Sequence, residues 1–240
     1  MQDLKSHAIV KTHELALKGK NRPWFMRKLT DNLRAATKGS GVDKVWKGQL
    51  MVGLTLSDEE CWPEVKSRIK EVFGVAKFYK AYELPQDLDG LKASLPKMLE
   101  GRRFNSFRIT TNRADKRFHM NSEQVNRDLG AFVRDLTGAH VSLKEPELSI
   151  YVDIQTKGLL VHFDEVKAHG GLPVGVSGKV AVMLSGGIDS PVAAWQMMKR
   201  GCQAMFVHFH SYPLVDKTSM EKAVDLVDHL TRHQYESNLF

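Results

Sequence analysis

Only two cysteines occur among the 240 residues, Cys61 and Cys202, far apart in the chain. That excludes a disulfide framework and a cysteine-rich zinc site, and it fits a reducing, cytoplasmic compartment. No apolar run approaches the roughly 18 residues a membrane helix needs, so no membrane partner is expected. The first twenty residues intersperse Lys5, Lys11, Glu14, Lys18 and Lys20 among apolar positions, which leaves no room for a secretory apolar core. Acidic side chains are the scarcer charge, 28 against 35 Lys and Arg, for a net charge of +7. The excess is concentrated in residues 1–76, which hold 14 basic and 9 acidic residues. Such a bias suits an acidic polymer such as RNA, although a solvated, soluble surface accounts for it equally well.

The most informative segment is Ser185-Gly186-Gly187-Ile188-Asp189-Ser190. It follows the apolar run Val180–Leu184 and precedes a helical stretch ending near Arg200, with Gly201 beyond it. Strand, glycine-rich turn and helix in that order aim backbone N–H groups and a positive helix end at a phosphate. The segment has no lysine and no Gly-Lys-Ser/Thr ending, which excludes a Walker loop. It also lacks the third glycine and the following acidic residue of a dinucleotide fingerprint. Asp189 would repel a phosphate unless Mg²⁺ lay between them, so it is a candidate metal contact or a helix-start residue. A plain glycine-rich turn with a Ser/Asp cap is the structural alternative.

Periodicity divides the chain into three parts. Residues 1–76 read β-α-β-β-α-β, a ferredoxin-like order. It comprises an apolar start at His7–Val10, a helix from Trp24 to Ala36 behind Pro23, strands Lys44–Trp46 and Gln49–Leu56, a helix carrying Val65, Ile69 and Val72, and a strand Val75–Tyr82. Residues 77–165 form a second α+β unit. Its helix Leu88–Leu99 contains Pro96, which is expected to end or kink it. A strand Phe104–Thr111 alternates so that Phe107 faces a core, a helix carries Val125, Leu129, Val133 and Leu136, and short strands Val141–Leu143, Ser149–Gln155 and Gly158–Phe163 follow. Residues 166–178 are a glycine-containing linker. Residues 179–240 open a doubly wound α/β domain: strand 179–184, helix 191–200, strand 204–208, a loop and a helix 219–230. The apolar end Asn238-Leu239-Phe240 looks like the start of a further strand, and about 60 residues are too few for a complete domain of that kind. The third domain is therefore expected to be incomplete.

The loop resembles the PP-loop of ATP pyrophosphatases, which implies ATP bound through its pyrophosphate and an adenylated intermediate. Three further segments resemble the tRNA 4-thiouridine synthetase (tRNA sulfurtransferase) family. They are Glu14 to Arg22, Phe107 to Lys116 together with Glu123 to Gly130, and Gly170 to Gly175 leading into the loop. His13 departs from the glycine common there. The implied architecture is a ferredoxin-like unit, a THUMP domain and the start of a PP-loop domain. The resemblance implies ATP contacts at Met183, Leu184, Ser185, Gly186, Gly187, Asp189, Ser190, His208 and Phe209, with Asp189 also the catalytic and Mg²⁺-binding candidate. It implies RNA binding through Arg102, Arg103, Arg108, Arg113, Lys116 and Arg117, extended by Lys18, Lys20 and Arg22. The implied reaction adenylates the C4 oxygen of uridine 8 in tRNA and replaces it with sulfur from a persulfide charged by a cysteine desulfurase. The family also delivers sulfur to an acceptor protein of thiazole synthesis for thiamine, and a homodimer is left open.

Cys202, at a helix-to-strand turn with only Arg200 nearby, reads as a structural thiol. So does Cys61. The resemblance places the persulfide cysteine beyond Phe240. Two competing readings follow. One is an RNA-binding module that holds a nucleotide without turnover. The other is a different PP-loop ligase, of the lysidine or amidotransferase type, which leaves the two N-terminal α+β units unexplained.

Overall fold

A computed structural model describes residues 4–48, 51–211 and 218–240, apart from the side chain of Ala16. Gln49 and Leu50 of the expected strand Gln49–Leu56, and 212–217 of the loop expected before the last helix, lie outside the described residues. In chain order the elements are β1 (Lys5–Lys11), α1 (Arg22–Ala36), β2 (Val42–Lys47), β3 (Met51–Leu56), α2 (Trp62–Lys70) and β4 (Lys77–Leu84). Then come α3 (Leu88–Leu99), β5 (Ser106–Arg113), α4 (Ser122–Thr137), β6 (His140–Val141), β7 (Leu148–Gln155) and β8 (Gly158–His162). The last are β9 (Val166–Lys167), β10 (Lys179–Met183), α5 (Asp189–Lys199), β11 (Gln203–Val207) and α6 (Thr218–Thr231).

The chain divides into two compact units, Met1–Ala8 with Tyr79–Glu165, and Ile9–Phe78 with Val166–Phe240. Strands β1 and β4 contribute residues to both.

In the unit built around Tyr79–Glu165 the strand order is β4-β8-β7-β5-β6. β7 runs parallel to β5 and antiparallel to β8, with Ile109 opposite Ile150 and Val152 opposite Val161. β7 alternates buried and half-buried residues, the period-2 signature of a strand with one face on a core. Helices α3 and α4 cover that face through Leu91, Leu95, Val125, Leu129 and Val133, against Phe107, which is fully buried. Both helix starts are capped. Asp87 accepts the N–H groups of Asp89 and Gly90, and Asn121 forms a reciprocal capping box with Gln124, which satisfies amides that no helical carbonyl can reach. Pro96 does not end α3, which continues to Leu99. The proline lies in the last turn, where its missing N–H removes only one bond before the helix stops.

In the other unit β2-β3-β1-β4 is the strand order, the arrangement that closes a β-α-β-β-α-β chain into a ferredoxin-like sandwich. Pro23 occupies the first turn of α1, where a missing N–H costs no helical bond. Helix α1 buries Met26, Leu29, Thr30, Asn32 and Leu33. The buried polar Asn32 is satisfied: its Nδ2 donates to the carbonyl of Val174 at 3.1 Å. Residues 166–178 are tied down along their length. β9 pairs with β4, Gly74 N–H donates to Gly170, Gly170 N–H to Val75, Leu172 N–H to Lys199 and Gly175 N–H to Gly201. Leu172 and Val174 are buried. Gly171 has φ +77°, and a Cβ there would collide with the Lys199 carbonyl oxygen, so the backbone approach demands glycine.

β10 and β11 are parallel, with Met183 opposite Val207. Leu239 bridges Phe206 in parallel, and Phe206 and His208 make backbone ladder bonds to Asn238 and Phe240. The chain end thus lies beside β11 with strand pairing, as the apolar pair Leu239-Phe240 leads one to expect.

Candidate nucleotide-binding site

The glycine-rich segment forms the turn between β10 and α5. Leu184, 3 % exposed, donates its N–H to the Val207 carbonyl at 2.8 Å and ends the paired part of β10. Gly186 turns the chain with φ +75°, and no atom lies within 4 Å of where its Cβ would be. The backbone there can be approached closely by a ligand. Ser185 N–H points to Ser190 Oγ at 3.4 Å, which closes the turn on itself. Helix α5 starts at Asp189, and its cap residue Ile188 makes no side-chain cap bond. The first-turn N–H groups of α5 therefore lack the side-chain acceptor that α3 and α4 possess, and they point toward the turn.

Ser185, Gly187, Ile188 and Asp189 are exposed. The Asp189 carboxylate has no hydrogen-bond or ion-pair partner among the described residues. No group of three or more His, Cys, Asp or Glu is assembled among the described residues. A Mg²⁺ at Asp189 would need phosphate oxygens and water for its remaining ligands, which is the usual mode for that ion. The turn, the uncapped helix start and one carboxylate fit a nucleotide triphosphate with its cation.

The adjacent strand ends complete the edge. Met183 and Phe209 are 64 % and 75 % exposed, apolar surface flanking the turn at the carboxyl ends of two parallel strands, where ligands of α/β sheets bind. His208 is half-buried, with Nδ1 2.8 Å from the Leu184 carbonyl oxygen and Nε2 3.1 Å from Ser219 Oγ. Neither ring nitrogen is turned to solvent as a spare ligand. Nothing near Ser219 in the sequence singles it out.

The basic side chains expected to contact RNA fall in both units. Lys18, Lys20 and Arg22 belong to one, and Arg102, Arg103, Arg108, Arg113, Lys116 and Arg117 to the other. Within the second group their situations differ. Arg113 Nη1 donates to the carbonyls of Phe118 and Met120 at 3.3 and 2.8 Å, so it holds the loop after β5. Arg108 donates to the Leu143 carbonyl at 3.1 Å. Arg102 pairs with Asp164 at 2.8 Å and lies over the Phe163 ring. Arg117 grips Asp115 with two side-chain donors, and the guanidinium and backbone N–H bonds from Arg117 hold that carboxyl down at about 2. Arg103, Lys116 and, in the other unit, Lys20 are exposed with no acidic partner among the described residues.

Both thiols are occupied structurally. Cys202 is buried with Sγ toward the Ser177 carbonyl, and Cys61 donates to the carbonyls of Gly41 and Asp58.

Residues 7–79 match the family model of the ThiI ferredoxin-like domain, 85–164 the THUMP domain and 175–240 the thiamine biosynthesis protein (ThiI) family. The chain is 46% identical over 229 residues to a probable tRNA sulfurtransferase of Thermus thermophilus, covering 95% of this chain and 56% of the relative. It is 38% identical over 238 residues to the probable tRNA sulfurtransferase of Coxiella burnetii, covering 95% and 60%. Among solved structures, a 4-thiouridine synthetase–RNA complex with bound ATP superposes with a TM-score of 0.85 at 30% identity, covering 96% of this chain and 59% of that one. PH1313 from Pyrococcus horikoshii shares the fold, with a TM-score of 0.83 at 22% identity, covering 98% and 79%. The chain thus spans somewhat over half the length of the curated relatives it matches. With the ferredoxin-like, THUMP and PP-loop parts present in that order, it belongs to the ThiI family.

Proposed function

We propose that this chain supplies the nucleotide- and RNA-binding parts of an ATP-dependent tRNA sulfurtransferase that forms 4-thiouridine at position 8. The observation that carries the reading is the turn at 185–190, with its positive-φ Gly186 and uncapped α5 start, in a chain that also has a THUMP domain. The backbone N–H groups of the turn and the first turn of α5 receive the pyrophosphate portion of the nucleotide. Asp189 takes a Mg²⁺ that offsets phosphate charge near its own carboxylate. Met183 and Phe209 offer apolar surface to the base. Arg103, Lys116 and Lys20, which among the cations expected to contact RNA are exposed and have no acidic partner among the described residues, take RNA phosphates. ATP, when bound, supplies an adenylyl group to the uracil C4 oxygen with departure of pyrophosphate; the outer sulfur of a persulfide then attacks C4 and AMP leaves, and a second thiol cleaves the S–S bond, closing a disulfide and leaving the sulfur on C4. Neither Cys61 nor Cys202 suits the persulfide role, because both thiols face backbone carbonyls, Cys202 buried and Cys61 half-buried. A cysteine desulfurase as donor, a sulfur acceptor for thiazole synthesis, a homodimer and a cytoplasmic setting extend the same reading.

The test is transfer of label from α-³²P-ATP to tRNA by the complete protein, with release of pyrophosphate. Asp189→Ala is expected to abolish both, and release at the wild-type rate would refute the loop assignment. The position of the two thiols also favours a narrower reading of these 240 residues by themselves, which bind ATP and tRNA without thiolation. Single-turnover thiolation by the 240-residue chain carrying Cys61→Ser and Cys202→Ser would contradict it.

A further inference from the structure

His208 lies between two groups that the chemistry of the loop does not by itself require. Its Nδ1 is 2.8 Å from the carbonyl oxygen of Leu184, and its Nε2 is 3.1 Å from Ser219 Oγ. A carbonyl oxygen only accepts, so Nδ1 carries the proton in this contact. In the neutral ring Nε2 is then an acceptor, and the Ser219 hydroxyl donates to it. A protonated ring would donate from both nitrogens and keep both contacts, with the hydroxyl reversed. Either way both nitrogens are engaged, and the ring has none left for a phosphate, a metal or proton transfer.

The placement of the two ends gives this bridge its meaning. Leu184 is buried, is fixed on its N–H side to Val207, and immediately precedes Ser185. Ser219 stands in the first turn of α6. One imidazole therefore joins the carboxyl end of β10, the carboxyl end of β11 and the start of α6 at the residue from which the turn departs. A peptide group whose N–H and C=O are both pinned fixes the direction in which Ser185 and Gly186 leave the strand. A turn that binds through backbone N–H groups depends on that direction, because misplacement by a fraction of an ångström lengthens several hydrogen bonds at once.

We infer that His208 and Ser219 are positioning residues for the Ser185–Ser190 turn: they hold the Leu184 carbonyl and make nucleotide affinity depend on the first turn of α6. This rests on the reading of the turn as the nucleotide site. It differs from a direct contact between the His208 ring and the nucleotide, since the ring works through the Leu184 peptide.

Four variants of the 240-residue chain test it: His208→Leu, His208→Asn, Ser219→Ala and Ser219→Thr. Each is measured for ATP affinity, tRNA affinity, melting temperature and amide hydrogen exchange of residues 184–190 without nucleotide. His208→Leu removes both bonds and is expected to weaken ATP about tenfold, the scale of one missing hydrogen bond in a preorganised site. His208→Asn keeps an N–H near the Nδ1 position and is expected to stay within about threefold of wild type. Ser219→Ala is expected to weaken ATP by about three- to tenfold, and Ser219→Thr to restore it. Exchange of the turn amides should quicken in His208→Leu and Ser219→Ala, with tRNA affinity unchanged. Wild-type ATP affinity and wild-type turn exchange in both of those variants would overturn the inference. So would a parallel fall in tRNA affinity and melting temperature, which marks a merely structural histidine. If the wild-type chain binds no ATP, the nucleotide reading fails, while turn exchange in the same variants still decides whether the bridge sets the loop.

Discussion

The imidazole of His233 stacks on the ring of Phe73, with centroids 4.8 Å apart and 25° between the planes, while its Nδ1 lies 2.9 Å from the Glu71 carbonyl oxygen. Phe73 follows α2 and His233 follows α6, so the pair joins the ferredoxin-like part to the PP-loop part inside one compact unit. Trp195 of α5 meets Phe73 edge-on at 5.2 Å, and His169 contacts both rings. Phe73 is fully buried in a cluster with Val174, Leu184, Met198, Phe206 and Leu230. The residue that precedes the glycine-rich turn therefore shares a core with the end of the ferredoxin-like part.

Truncating this ring should loosen the PP-loop part. Phe73→Ala removes a fully buried aromatic ring and is expected to cost about 3–5 kcal/mol of unfolding free energy. Urea unfolding measures it, and hydrogen exchange should quicken in α5 and α6. A change below about 1 kcal/mol would show that the ring is not part of a tight core.

Acid should weaken the same contact. Burial depresses the His233 pKa below its ordinary 6.5, and His169 and Arg232 add to the depression, while the Glu71 carbonyl and carboxylate oppose it less strongly. The unfolded chain thus binds the proton more readily than the folded one. The stabilising contribution is present above pH 6.5 and is lost as pH falls from there through the lower folded value. Melting temperature between pH 8 and pH 5 should fall more steeply for wild type than for His233→Gln. Equal slopes would remove His233 from the acid response.

The cations of the THUMP domain should separate into two classes. Lys116 and Arg103 have no acidic partner among the described residues. Replacing either by Ala should weaken tRNA binding and reduce the salt slope by about 1 for each phosphate that is no longer neutralised. Arg117→Ala should change affinity far less, because Asp115 already neutralises that guanidinium. Arg113→Ala should lower the melting temperature, since it strips two loop carbonyls of their donor. Filter binding at several salt concentrations, alongside calorimetry, tells these outcomes apart; a uniform effect of all four would mean that charge alone matters.

Two neighbouring glycines offer a backbone test. Both have positive φ, +67° at Gly170 and +77° at Gly171, but only the second has a close backbone neighbour, the Lys199 carbonyl oxygen. Gly170→Ala should cost about 1–2 kcal/mol, the strain of a left-handed alanine. Gly171→Ala should cost clearly more, because Cβ and the carbonyl cannot both stay in place. Similar melting temperatures for the two would refute the close approach.

Much of this molecule is written locally. The caps at Asp87 and Asn121, the alternation of β7 and the burial of Phe107 follow from hydrogen-bonding side chains and period-2 patterning within a few residues. The glycine-rich turn between strand and helix is likewise legible, because its demands on φ and on close approach select glycine. Element ends are less legible: α5 starts at Asp189 where the sequence suggests 191, β11 runs Gln203–Val207 where it suggests 204–208, and α2 starts at Trp62 where Ser57-Asp58-Glu59-Glu60 suggests an earlier start.

Side-chain availability is a different matter. Six arginines and lysines between residues 102 and 117 look alike in sequence, yet Arg113 serves two carbonyls, Arg117 serves Asp115, and Lys116 has no acidic partner among the described residues. The partner of a long cation is chosen by three-dimensional proximity, and nothing in the spacing of charges records it.

The amino-acid sequence alone determined the order of the three parts, the helical and extended periods, and the glycine-rich turn between strand and helix, since each depends on residues adjacent in the chain. Only the tertiary structure decided that Phe73 would lie against His233, that Val174 would receive the Asn32 amide, and that Ser219 would reach the Leu184 carbonyl through His208. Those partners stand 11 to 160 residues apart. Packing free energy selects them among many apolar and polar candidates, and that choice exists only once the elements have been brought together.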